Sequence, residues 1–165
     1  MIDEIDREIL KILQLNARIS SADIARQIGK APSAVLGRIR KLEQKGVIQG
    51  YESRLDHLSL GLSLTTFILV RTEEPVGNHK IGNKLAKIPE VQEIHYIAGD
   101  YCYILKVRVP DTEALGKLLK KFGSYKEVSD TRTTLVLNSI KDSLRLPLND
   151  ITGVNEKGSR PEKNV

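Results

Sequence analysis

Between Arg26 and Lys45, six of the seven charged residues are basic: Arg26, Lys30, Arg38, Arg40, Lys41 and Lys45 stand against Glu43 alone. The net of +5 over that stretch equals the formal net charge of the whole 165-residue chain. Guanidinium and ammonium groups gathered this closely suit phosphate oxygens, and arginine can also read guanine edges. The plainer reading of the cluster is a solvated helix face. The other chemistry-bearing residues are scattered. His57, His79 and His95 lie far apart, and Cys102 is the single cysteine. No His/Cys pair has metal-ligand spacing, and one cysteine excludes an internal disulfide framework. As a nucleophile, Cys102 would need His95 delivered from a neighbouring strand; a small core residue is the simpler role. There is no phosphate-cradling G-x-x-x-x-G-K-[ST] loop, since Gly61, Gly77 and Gly82 are isolated. The expectation is no metal, no cofactor and no catalytic residue, but a basic surface for nucleic acid.

That surface needs helices to carry it. Asp3 to Asn16 reads as a helix, with Ile5, Ile9 and Ile12 on one face and acidic Asp3, Glu4 and Asp6 in the first turn, where they suit the helix dipole. A second helix starts at N-cap Ser20, with Asp23 three residues on as a capping box, and stops at Gly29. A third begins with Pro32 in its first turn, buries Val35, Ile39 and Leu42, and ends at Gly46. Two short helices joined by a glycine turn form a helix-turn-helix unit, whose second helix enters the major groove. Ser33, Gly37, Lys41 and Gln44 lie opposite the apolar stripe, with Ala34, Arg38 and Arg40 on its flanks. Small side chains permit close approach to base edges while Arg38, Arg40, Lys41 and Lys45 reach phosphate or guanine. Arg38 has a second option, a carboxylate in its own domain. Ser21 and Arg26 on the second helix are backbone-phosphate candidates, and Lys30 is a further DNA-binding candidate. Val47 to Tyr51 reads as a short strand leading out.

From residue 51 to 61 the chain is a connector, and the pattern then changes. Strands are expected over Leu62–Thr72, Val91–Ala98, Tyr101–Val109 and Val128–Leu137, with helices over Asn78–Ile88 and Thr112–Phe122. The order βαββαβ is the ferredoxin-like arrangement. The fold class is thus α+β: a helix-turn-helix (winged-helix-like) domain over residues 1–50, then a ferredoxin-like domain over 62–148. Two helices cover one sheet face only. Ile68, Val70, Leu135 and Leu137 would otherwise be partly wet, which calls for a partner subunit. Residues 149–165 are polar and read as a disordered tail. The start of the chain has neither a basic nor a long apolar run, so no signal peptide is expected, and no stretch suits a bilayer. A cytoplasmic, nucleoid-associated protein is expected.

This arrangement resembles the leucine-responsive/asparagine regulator (Lrp/AsnC) family of prokaryotic transcription factors over roughly Ile2 to Leu148. The matching stretches are Ile5-Asp6-Arg7-Glu8-Ile9-Leu10, Asn16-Ala17-Arg18-Ile19-Ser20, Arg38-Ile39-Arg40-Lys41-Leu42-Glu43 and Gly46-Val47-Ile48-Gln49-Gly50-Tyr51. Val107-Arg108-Val109-Pro110-Asp111 and Asp130-Thr131-Arg132-Thr133 also fit. The resemblance implies a homodimer through the βαββαβ domains that assembles to a tetramer or octamer, double-stranded DNA with pseudo-palindromic sites, and an amino acid or analogue bound between subunits. It places effector contacts at Gly99, Asp100, Tyr101 and Cys102, with Thr131, Thr133 and Thr134 opposite. Two positions depart from the family pattern. Ala31 replaces the usual Ser cap before Pro32. Cys102 stands where the family's Gly-x-x-Asp loop has its acid, so no carboxylate meets a ligand ammonium there. Either Asp100 substitutes, or the ligand differs, or the site is vestigial.

The leading function is a DNA-binding transcriptional regulator whose DNA binding or assembly responds to an amino acid or related metabolite. A nucleoid-type binder of low specificity is the alternative. A metabolic enzyme or regulatory subunit on the ferredoxin-like domain is a further one, because that fold hosts many activities.

Overall fold

The computed structural model describes residues 2–148, so the tail expected over 149–165 lies outside the described residues. The described chain forms two units. The first holds residues 2–54 together with 143–148, and the second holds residues 55–142. The boundary differs from the sequence reading at the C-terminal side. Residues 143–148 join the first unit, where the Gln14 side-chain amide exchanges two hydrogen bonds with the Leu146 backbone, at 3.2 and 2.6 Å.

The first unit is three helices: α1 (Glu4–Leu15), α2 (Ser21–Ile28) and α3 (Pro32–Gln44). Ile9, Ile24, Ala25, Val35 and Ile39 form its core. Asp3 caps α1 in a full capping box. Its carboxylate accepts the Asp6 N–H at 2.8 Å, and the Asp6 carboxylate accepts the Asp3 N–H at 3.2 Å. In α2 the Ser20 hydroxyl accepts the Asp23 N–H at 3.1 Å and donates to the Asp23 carboxylate at 2.6 Å. Ser20 and Asp23 therefore pair side chain to side chain, not through the Ser20 backbone. Gly29 ends α2 with φ 64°, a left-handed conformation open to glycine at little cost.

Val47 to Tyr51 is not a strand. The Val47 and Ile48 N–H groups both bond to the Leu42 carbonyl, at 2.9 and 3.2 Å, closing the C-terminus of α3. A strand needs an edge to pair with, and residues 2–54 hold none. The expected connector is also partly folded. Asp56 accepts N–H groups from Leu58 and Ser59, and Gly61 returns the chain with φ 77°.

The second unit is a four-stranded antiparallel sheet of β1 (Leu64–Thr72), β2 (Val91–Tyr96), β3 (Tyr103–Val109) and β4 (Val128–Leu135). The strand order is β2-β3-β1-β4, and α4 (Lys80–Leu85) and α5 (Thr112–Gly123) complete βαββαβ. α4 is shorter than the periodicity predicts. The Lys87 and Ile88 N–H groups bond three residues back, to Lys84 and Leu85, tightening the end of the helix before Pro89.

Pairing register divides the two faces of the sheet. Ile68 lies opposite Leu105 and Thr133, and Val70 opposite Tyr103 and Thr131. Ile68, Val70, Leu105, Val107 and Val109 are buried with Ile81, Leu85, Leu118 and Phe122 of the helices. Ile68 and Val70 thus face the helices, which corrects the expectation that they need a partner subunit. Leu135 and Leu137 are exposed. Alternation puts Phe67, Leu69 and Ile104 on the opposite face, and Phe67 is 38% exposed. That face also carries a charge network. Lys106 bridges Glu93 at 3.2 Å and Asp142 at 3.4 Å, and Arg108 meets Asp142 at 2.8 Å. Burial works against the Asp142 carboxylate, but Lys106 and Arg108 outweigh it and hold its pKa below the ordinary value.

Candidate nucleic-acid interface and effector site

The outer surface of α3 is what the local sequence requires. Val35, Ile39 and Leu42 turn inward, and Ser33, Ala34, Gly37, Arg40, Lys41 and Lys45 are exposed. Ala31 leaves the start of α3 without a side-chain cap. Among the described residues, Lys30, Arg40, Lys41 and Lys45 have no side-chain partner, so their charges face solvent undiminished. Ser21 is half-buried in the first turn of α2. Arg26 is exposed and meets Asp23 one turn back at 2.9 Å, a surface pair of little energetic weight.

Arg38 is placed differently. Its Nη1 lies 2.6 Å from Asp3 Oδ2 and 2.8 Å from Asp6 Oδ1. Asp6 is nearly buried. Hydrogen bonds to Asp6 and then Asp3 raise the Arg38 pKa. The Asp6 N–H and then Arg38 lower that of Asp3. Of the two options open in the sequence, the carboxylate in its own domain is occupied, so Arg38 is not one of the free cations. Asp3 and Asp6 read in the sequence only as dipole partners of α1. Their second role needed the α1–α3 packing to appear.

In the second unit, Gly99, Asp100, Tyr101 and Cys102 form the turn between β2 and β3. Gly99 has φ 135°, a conformation that residues with a side chain rarely adopt. The turn is tied down by the Ile97 N–H on the Cys102 carbonyl at 2.8 Å and the Cys102 N–H on the Val70 carbonyl at 2.9 Å. Arg71 Nε donates to the Asp100 carbonyl at 2.9 Å, and its guanidinium lies 5.0 Å from the Tyr101 ring centroid. The Tyr101 hydroxyl donates to Asp130 at 2.9 Å, and that bond raises the phenol pKa. Arg71 and Asp130 are partners that sequence reasoning missed. Asp130 opens a stretch that fits the family pattern, but its bond to Tyr101 reaches past β1, the strand between them.

The three threonines do not share a face. Thr131 and Thr133 lie opposite Val70 and Ile68 on the helix-packed side, whereas Thr134 lies opposite Phe67 on the other. No single surface of this sheet takes all three side chains, because successive strand residues point to opposite faces. Arg71 and Asp130 pair in register on the Phe67 side, so the loop network sits with Thr134. Cys102 is half-buried, with Sγ 3.9 Å from the Thr72 carbonyl. His95 contacts Glu93 at 3.5 Å, so nothing pairs it with Cys102. Among the described residues there is no His/Cys/Asp/Glu group able to hold a metal, and no helix is long and apolar enough to cross a membrane.

A trihelical unit with an outward basic helix, followed by a ferredoxin-like sheet with a structured polar turn, defines a helix-turn-helix DNA-binding protein with a separate α+β domain. Comparison with known proteins narrows this class. Residues 2–49 match the winged helix-turn-helix DNA-binding family, and residues 65–146 match the Lrp/AsnC ligand binding domain. The chain is 38% identical over 148 residues to the leucine-responsive regulatory protein of Escherichia coli K12, covering 88% of this chain and 90% of that protein. A Neisseria meningitidis transcriptional regulator solved with L-methionine superposes with TM-score 0.85 at 29% identity, over 90% of this chain and 98% of that one. The feast or famine regulatory protein of Mycobacterium tuberculosis, also complexed with L-methionine, gives TM-score 0.82 at 32% identity, over 88% and 99% of the two chains. The chain belongs to the Lrp/AsnC family of transcriptional regulators.

Proposed function

We propose that this regulator reads pseudo-palindromic DNA as a homodimer or a higher assembly of dimers, and that an α-amino acid or close analogue biases that binding. The observation that carries the DNA part is the solvent-facing set Lys30, Arg40, Lys41 and Lys45 around small Ser33, Ala34 and Gly37. Two copies related by a two-fold axis would present two such helices, matching half-sites about 10 bp apart or a multiple of that. Exposed Phe67, on the sheet face opposite α4 and α5, supports association through the second unit. Its workplace is the cytoplasm, at the nucleoid, and the reading involves no catalytic step.

The Gly99–Cys102 turn is the effector loop in this reading. Cys102 brings no charge, and Asp130 is engaged by Tyr101. Asp100 is exposed and its carboxylate has no partner among the described residues, so Asp100 is the anion offered to a ligand ammonium. Relatives solved with L-methionine support an amino-acid ligand. An effector that binds one assembly better shifts DNA affinity by that difference.

A thermal-shift screen against the common amino acids tests this. A ligand at about 100 times its Kd stabilises by roughly 2.7 kcal/mol. At least one amino acid should raise the Tm of the wild type, and Asp100→Asn should abolish the rise. No rise with any amino acid, or a rise that survives Asp100→Asn, refutes the effector assignment.

A further inference from the structure

We propose that Arg38 is a positioning residue: its grip on both carboxylates of the α1 cap sets the angle at which the recognition helix meets DNA, and with it sequence discrimination. The inference rests on α3 being the recognition helix.

Nη1 of a guanidinium carries two hydrogens, and here both are engaged, one by Asp3 Oδ2 and one by Asp6 Oδ1. The remaining oxygens of the same carboxylates close the capping box. Asp3 Oδ1 accepts the Asp6 N–H, and Asp6 Oδ2 accepts the Asp3 N–H. All four carboxylate oxygens are therefore used in one ring that ties the first turn of α1 to the middle of α3. The same two helices also share the apolar cluster that holds Ile9, Val35 and Ile39. Apolar contact is non-directional and tolerates rotation of one helix on another. Paired charge-assisted hydrogen bonds add a geometric constraint. They fix where Gly37, Arg40 and Lys41 point, because those residues flank Arg38 on the same helix.

The charge balance argues against a phosphate-attracting role. One guanidinium shared by two carboxylates is already compensated within its own unit and has little charge left to offer a phosphate. An arginine kept for phosphate would be better unpaired, as Arg40 is among the described residues.

This yields a test of sign on the full-length protein. A duplex selected from a random pool and a scrambled duplex are titrated by fluorescence anisotropy over a range of KCl. Asp3→Asn keeps a good N-cap but removes one arm of the grip and one negative charge. Electrostatics alone would tighten binding to both duplexes. The proposal expects Asp3→Asn to weaken the selected duplex roughly five- to tenfold, the low end of one lost base contact, without weakening the scrambled one. Arg38→Ala should lose discrimination likewise, at the wild-type salt dependence. Equal tightening or equal loss on both duplexes for Asp3→Asn overturns the proposal. So does an Arg38→Ala variant that keeps discrimination and flattens the salt dependence by about one phosphate per copy. Lys41→Ala separates the two readings: if it too leaves the salt dependence unchanged, the placement of the recognition helix has failed.

Discussion

Substituting Lys41 with Ala removes from the outer face of α3 one exposed cation that has no side-chain partner among the described residues, without touching the core. Four such cations per copy, Lys30, Arg40, Lys41 and Lys45, give a dimer about eight phosphate contacts if each reaches one. Counterion release then predicts a slope of log affinity on log salt near −0.9 per contact, roughly −7 in all. A fourfold rise in salt would cost the wild type about four orders of magnitude in affinity. Lys41→Ala loses one contact per copy, so its slope should be shallower by about 1.8 and its loss over the same range about tenfold smaller. Anisotropy titrations of a labelled duplex between about 50 and 200 mM KCl measure both lines. The melting temperature should not change, since Lys41 is exposed. A variant with the wild-type slope would refute the assignment of this helix face to phosphate.

Three further outcomes are expected. A Cβ on Gly82 would lie 2.7 Å from Tyr103 Cε1, and Tyr103 is only 2% exposed; overpacking of about 1–3 kcal/mol against a helix-propensity gain of about 1 kcal/mol makes Gly82→Ala destabilising in thermal melts, and a more stable variant would show that Tyr103 can move. The Asp6 N–H and Arg38 hold the Asp3 pKa below its ordinary 3.8, so the stability that carboxylate contributes is complete above that value and lost as pH falls through the lowered folded one. Asp3→Asn should therefore be less stable than the wild type near neutral pH, with the gap in melting temperature closing in acid; a gap independent of pH would deny the linkage. Phe122 is fully buried beneath the sheet, and Phe122→Ala should cost about 3–5 kcal/mol in the transition of the second unit, which a two-step denaturation curve would resolve.

Features whose physics is local were legible along the chain. The apolar stripe of α3, the Ser20 cap, the left-handed Gly29 and Pro32 in the first helical turn each depend on residues within about one or two helical turns, and all can be read in order along the chain. The βαββαβ order followed from strand and helix periodicity in the same way. Features that depend on distant residues or on an alternating face emerged only from the packed chain. Arg38 lies 35 residues from Asp3 and 32 from Asp6, so only the packing of α1 on α3 could bring its guanidinium onto both carboxylates. Ile68 and Val70 alternate with Phe67 and Leu69, and either set could have faced the helices; pairing with Leu105 and Tyr103 chose between them. The same register separated Thr134 from Thr131 and Thr133, because one step along a strand turns a side chain to the other face.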